Sequence, residues 1–124
     1  MLKTPSELCE ESKKSIPEIS AADVKRDLDG GKLPYLLLDV REPQEHAAGM
    51  IPQALALPRG LIEIQIGKVL QDENAPIVCY CGGGTRSLFA GEQLKRVGFK
   101  NVKSMAGGFK AWIGGGGAVQ KPGA

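Results

Sequence analysis

The sequence has no long apolar run, little net charge, few aromatic residues and no even set of cysteines. No window approaches the ~20 consecutive apolar residues that a membrane-spanning helix needs, so no membrane association is expected. Sixteen Lys and Arg stand against fourteen Asp and Glu, a formal charge of +2. That balance is too small and too evenly spread to call for nucleic acid as a partner. The segment Met1 to Glu18 mixes Lys3, Lys13 and Lys14 with Glu7, Glu10, Glu11 and Glu18. It lacks the apolar centre of a secretory signal, and a cytoplasmic protein is expected. Thiols stay reduced there, so Cys9, Cys79 and Cys81 are expected to be free. An odd count with one close C-x-C pair suggests neither a disulfide framework nor a zinc site. The single histidine, His46, is far in sequence from any cysteine it would activate.

What is present is one domain's worth of chain. The 124 residues are 42% hydrophobic and 24% charged, ordinary globular usage. Short β-like runs alternate with helical stretches, the signature of an α/β fold with a largely parallel sheet. Strands are predicted over 16–20, 35–40, 54–57, 76–80 and 101–104. Helices are predicted over 21–28, 43–48, 61–70 (interrupted by Gly67), 86–97 and 108–113. On the 86–97 helix, Leu88, Leu94 and Val97 share one face. The chain divides into an N-terminal extension over 1–15, helical or mobile, a globular domain over 16–113, and a flexible glycine-rich tail over 114–124 without apolar anchors.

The chemistry gathers at Cys81-Gly82-Gly83-Gly84-Thr85-Arg86. A cysteine ends a buried strand, four small residues follow, and an arginine opens a helix. In open α/β sheets, ligands sit outside the carboxyl ends of the strands, which is where Cys81 falls. The glycines let backbone N–H groups converge on one point, and with the following helix N-terminus they make an anion site. The first anion to occupy it is a cysteine thiolate. A free cysteine of pKa ~8.5 is only about 3% ionised at pH 7, and a helix end with a nearby cation raises that share. Arg86 adds a permanent charge suited to bidentate binding of an oxyanion. No general base and no cofactor or metal is required.

Two chemistries want an activated cysteine in so small a cup: phosphate ester hydrolysis and sulfur transfer. Cysteine-nucleophile phosphatases use C-x5-R, whereas the spacing here is C-x4-R. The shorter loop makes a tighter circle with fewer amides, which suits one terminal sulfur better than a phosphoryl group.

Four stretches then carry a resemblance: Leu38 to Glu42, Glu45 to Ala54, Cys79 to Ser87, and Met105 to Trp112. Their order and spacing together resemble the single-domain branch of the rhodanese family, over roughly Ile16 to Ile113. The resemblance implies a three-layer α/β domain with a central, mostly parallel five-stranded sheet flanked by helices. It implies a sulfurtransferase in which Cys81 is the persulfide-forming nucleophile. Cys81 and Arg86 would be catalytic, and Gly82, Gly83, Gly84, Thr85, Arg86 and Ser87 would bind substrate. The donor would be a small sulfur anion such as thiosulfate or polysulfide. The acceptor would be cyanide, a small thiol or a protein cysteine, and the protein a monomer or homodimer. His46 stands where the family usually has an aromatic residue, and Met50 where it has a histidine.

Plainer readings accompany the rest. Cys79 is expected in the core, and Cys9 in a polar segment without chemistry. Asp39 and Arg41 are expected to form a structural ion pair, and Trp112 to be core or cover the last strand. Arg59 and Lys110 are expected at the surface, with the rim of the site as the alternative. Rival functions are a non-enzymatic docking or sulfur-carrier module and a small phosphatase or arsenate reductase.

Overall fold

The computed structural model describes residues 1–121. Five strands form one sheet in the order β1-β5-β4-β2-β3, with every pairing parallel. They are β1 (Glu18–Ser20), β2 (Leu36–Asp39), β3 (Leu55–Ala56), β4 (Ile77–Tyr80) and β5 (Val102–Ala106). The helices are α1 (Pro5–Lys13), α2 (Ala21–Asp29), α3 (Pro43–Ala48), α4 (Ile62–Val69), α5 (Thr85–Val97) and α6 (Gly108–Gly114). The mixed α/β class and the five-stranded parallel sheet agree with the sequence reading. Among the described residues no helix is long and apolar enough to cross a membrane.

Strand periodicity divides the core into two layers, because successive side chains point to opposite faces. Leu38, Ile77 and Cys79 pack with Ile62, Ile66, Ala90 and Leu94, on the α4 and α5 side. Leu37, Val78, Tyr80 and Met105 pack with Val24, Ile51 and Trp112, on the α2 and α6 side. All four residues of β4 are buried. A strand covered on both faces reads as the continuous apolar run seen at 76–80. Each fully buried Val, Leu or Ile contributes roughly 1.5–3 kcal/mol. Local signals set the helix starts: Ser20 Oγ accepts from Asp23 N at 3.0 Å, and Thr4 with Glu7 forms a capping box at α1.

Several boundaries differ from the sequence expectation. β1 begins at Glu18, because Ile16 is buried against α5 where Gly91 leaves a notch. β3 pairs over only two residues, both exposed, while Leu57 turns into the core. An edge strand is held from one side only, so its ladder ends early. Gly67 does not interrupt α4, which runs unbroken after a 3-10 turn at Arg59–Leu61. Val97 is exposed, since nine residues after Leu88 it stands about 180° around the helix from it. β5 extends two residues further, to Ala106.

The tail, expected to be flexible and without apolar anchors, is held by hydrogen bonds among its described residues. Trp112 Nε1 donates to Ala118 O at 2.8 Å, and Met50 and Gln120 exchange a pair of 2.8 Å backbone hydrogen bonds. Neither partner is an apolar anchor, which is why hydropathy alone passes over them. The part of the tail assignment covering 122–124 lies outside the described residues.

Candidate active site

β4 ends at Tyr80, and the next residue, Cys81, starts the loop that leads into α5. Cys81 is 1% exposed, and donors surround its sulfur. Gly84 N points at Sγ from 3.1 Å and Ser87 N from 3.4 Å. Ser87 Oγ stands 3.5 Å from Sγ and 2.8 Å from Ser104 Oγ on β5. Two amides and a relayed hydroxyl, at the N-terminus of a 13-residue helix, form a nest for negative charge on sulfur.

The loop is oriented from outside as well as inside. Phe109 N donates to Cys81 O at 2.7 Å and Lys110 N to Gly82 O at 3.0 Å. The first turn of α6 thus takes the carbonyls of residues 81 and 82, which leaves the amides of 84 and 87 to face the sulfur. Gly84, with φ 100°, supplies the left-handed turn before α5. Gly108 sits so close that a Cβ there would lie 2.5 Å from Cys81 O. Only glycine lets α6 approach this near.

Arg86 does not stand free for an oxyanion. Its Nη1 and Nη2 bind Glu45 Oε1 and Oε2 at 2.7 and 3.1 Å. Both side chains remain about one-third exposed. The Arg86 hydrogen bonds hold the Glu45 carboxyl down, to about 2. In turn the Glu45 hydrogen bond raises the already high pKa of Arg86. The carboxylate also accepts from Glu42 N at 3.0 Å, closing the cap of α3. Sequence reasoning passed over Glu45. Its signal was a carboxylate three residues after Glu42 at a helix start, which explains the cap but not a partner 41 residues away.

A second ion pair lies beneath the mouth. Arg41 Nε and Nη2 bind Asp39 at 3.0 and 2.7 Å, and Nη2 also reaches Gly49 O at 2.7 Å. Burial opposes the charge on Arg41, but the hydrogen bond and charge of Asp39 outweigh it and raise the pKa. The guanidinium lies 4.3 Å from the Phe109 ring centroid. This clasp ties the end of β2 to α3 and α6, the structural role expected for the pair. His46 is buried beside it, with Nε2 3.2 Å from Asp39 O.

Of the remaining residues, Thr85 opens α5 with its side chain exposed. Cys79 is buried in the α4–α5 layer, and burial first, then the nearby Cys81, pushes its thiol up to about 12. It stays a neutral thiol. Cys9 is part-buried on α1. Arg59 places its guanidinium 5.6 Å from the Phe89 ring centroid, with Nε buried and unpartnered. Lys110 is at the mouth: a cavity of about 540 Å³ is lined by Arg41, Glu45, Gly82, Phe109, Lys110 and Ile113.

Comparison with known proteins agrees with this geometry. A rhodanese-like domain profile matches residues 20–114. A sulfurtransferase of Allochromatium vinosum is 43% identical over 77 residues, covering 62% of this chain and 70% of that protein. The putative sulfurtransferase YtwF of Bacillus subtilis is 38% identical over 99 residues, covering 80% and 92%. Among solved structures, a Rhodopseudomonas palustris protein of unknown function, described as a possible tyrosine phosphatase, superposes with a TM-score of 0.88. It is 28% identical and covers 97% of this chain and 96% of its own.

Proposed function

The chain belongs to the rhodanese-like family of sulfurtransferases and sulfur carriers, and from that premise we propose that it transfers sulfane sulfur through a persulfide on Cys81. The observation that carries this reading is the ring of donors around Cys81 Sγ: Gly84 N, Ser87 N and the Ser87–Ser104 hydroxyl pair. Such donors hold a thiolate for attack and take up the charge returned to sulfur when the persulfide is discharged.

The reaction has two halves. Cys81 thiolate attacks the outer sulfur of a donor such as thiosulfate or polysulfide. A new S–S bond forms to Sγ, and the donor's own bond to that sulfur breaks with its electron pair. From thiosulfate the leaving group is sulfite. A thiophilic acceptor (cyanide, a small thiol or a protein cysteine) then takes the terminal sulfur and restores the thiolate. Ping-pong kinetics follow from the covalent intermediate. We assign Cys81 and Arg86 to catalysis and Gly82, Gly83, Gly84, Thr85, Arg86 and Ser87 to substrate binding, with Gly84 N and Ser87 N directed at the sulfur. Three free cysteines among the described residues suit the reducing cytoplasm.

Phosphatase chemistry is disfavoured by the same geometry. A phosphoryl group needs a guanidinium open to clamp its oxygens, and the Arg86 fork is occupied by Glu45. The test is intact-protein mass after incubation with thiosulfate, polysulfide or a persulfidated thiol. Wild type should gain one sulfur atom, reversible by reductant and dischargeable by cyanide as thiocyanate, while Cys81→Ser gains none. Wild type that gains no sulfur from any donor would leave a docking module. Turnover of an aryl phosphate that depends on Cys81 would restore the phosphatase.

A further inference from the structure

We infer that Glu45 sets donor selectivity, turning the site away from dianionic oxyanion donors such as thiosulfate and toward thiol persulfides, which carry less negative charge. This rests on the sulfur-transfer reading above and names its substrate class.

Charge at the mouth separates the two donor classes. Arg41 and Lys110 line the mouth, and Arg86 is paired with Glu45, which also lines it. Asp39 pairs with Arg41. Among the described residues, Lys110 is the cation there without a carboxylate partner. Residues 82–84 are glycines, so the loop brings no side-chain charge of its own. With Arg41 and Arg86 each paired, the mouth carries little uncompensated positive charge beyond Lys110. A dianion entering it meets the Glu45 carboxylate at the rim and finds no open guanidinium fork.

Glu45 is placed to act in this way. A Cβ on Gly82 would lie 3.0 Å from Arg86 Nη2 and 3.8 Å from Glu45 Oε2, so the pair lies directly against the loop. Both groups are partly exposed, and Glu45 lines the cavity. The carboxyl is held to about 2, so its charge is constant across the working pH range.

A thiol persulfide, R–S–SH, suits this mouth. Cys81 thiolate attacks its terminal sulfur, the Sγ–S bond forms and the R–S bond to that sulfur breaks. R–S⁻ leaves with the electron pair and takes up the proton that the terminal sulfur carried. Cys81 is left as the persulfide anion beside Gly84 N and Ser87 N. No oxidant or reductant enters. The R group of a small thiol can lie over Phe109 and Ile113, the apolar wall of the same cavity.

The experiment compares Cys81 loading from thiosulfate and from cysteine persulfide in wild type, Glu45→Gln and Lys110→Gln. Glutamine keeps an amide oxygen to accept from Glu42 N and Arg86 while removing the charge. Wild type should load from cysteine persulfide with kcat/KM at least about tenfold above thiosulfate. Glu45→Gln should lower KM for thiosulfate by about threefold to tenfold, with kcat little moved. Its KM for cysteine persulfide should stay within about twofold, and added salt should shrink the difference. Lys110→Gln, a surface change without risk to folding, should raise KM for thiosulfate. If both donors respond alike to Glu45→Gln, or if Lys110→Gln leaves thiosulfate untouched, Glu45 is structural and the selectivity inference fails with sulfur transfer intact. Wild type that loads from neither donor overturns the sulfur-transfer reading itself.

Discussion

At the scale of the residue, the sulfur is governed by a few hydrogen bonds of ordinary length. Ser87→Ala removes the hydroxyl between Cys81 Sγ and Ser104 Oγ, both buried. It should slow loading of Cys81 by about threefold to tenfold, the worth of one hydrogen bond. The buried Ser104 hydroxyl left alone should lower stability by about 1–3 kcal/mol. Rapid-quench mass spectrometry and urea unfolding read the two effects, and unchanged loading would remove the hydroxyl from the catalytic account. Glu45 gives a pH signature. Its carboxyl falls from an unfolded value of ~4.3 to about 2 in the folded protein, held by Arg86. The stabilisation is therefore complete above the unfolded value and is lost as pH falls through about 2. The pair is partly exposed, so the gap between wild type and Glu45→Gln should stay below ~1 kcal/mol. Urea unfolding across that acid window should show the gap closing, and a constant gap would contradict the pairing. Cys81, its glycines and Arg86 were legible because they are contiguous. Glu45 and Ser104 were not, because nothing local tells a carboxylate on α3 or a serine on β5 that it will meet that loop.

At the scale of the element, the loop is held in shape by α6 as much as by its own glycines. Gly108→Ala drives a Cβ to 2.5 Å from Cys81 O and 2.7 Å from the Gly82 carbonyl carbon, at a φ of 60°. Backbone cannot yield as a flexible side chain would. The variant should lose about 3 kcal/mol or more of stability. Its loading should also fall, since the amides of Phe109 and Lys110 leave the loop carbonyls. Thermal unfolding with the loading assay checks both, and wild-type behaviour would show that α6 does not orient the loop. The strands and helices themselves were readable, because apolar runs of 4–8 residues and capping side chains are local signals. Their ends were less so. β3 stops early because an edge strand has a neighbour on one side only, and that depends on pairing the sequence does not announce. Val97 is exposed because helix geometry turns it away from Leu88.

At the scale of the whole molecule, the two ends of the described chain brace opposite layers. α1 packs on α5, and Lys95 Nζ reaches Ser15 O at 2.7 Å. The tail crosses the other layer, covering Trp112 and pairing Gln120 with Met50. Ending the chain after Gly116 removes both tail contacts. It should lower stability by about 1–3 kcal/mol and shift Trp112 emission to the red as the indole N–H meets water. An unchanged emission maximum would mean that the segment does not cover the ring in solution.

The Ile16–Gly91 contact has a consequence for where the domain can be cut. A Cβ on Gly91 would lie 3.0 Å from Ile16 Cγ2, so the isoleucine sits in the glycine's notch as a key sits in a keyway. Gly91 is four residues beyond Ser87, about 6 Å along the α5 axis. The key therefore fixes how far α5 slides along its own length, and with it the reach of Ser87 N to the sulfur. A transplantable unit that begins at the helix after β1 would carry the nucleophile, the nest and four of the five strands, yet leave its axial stop behind.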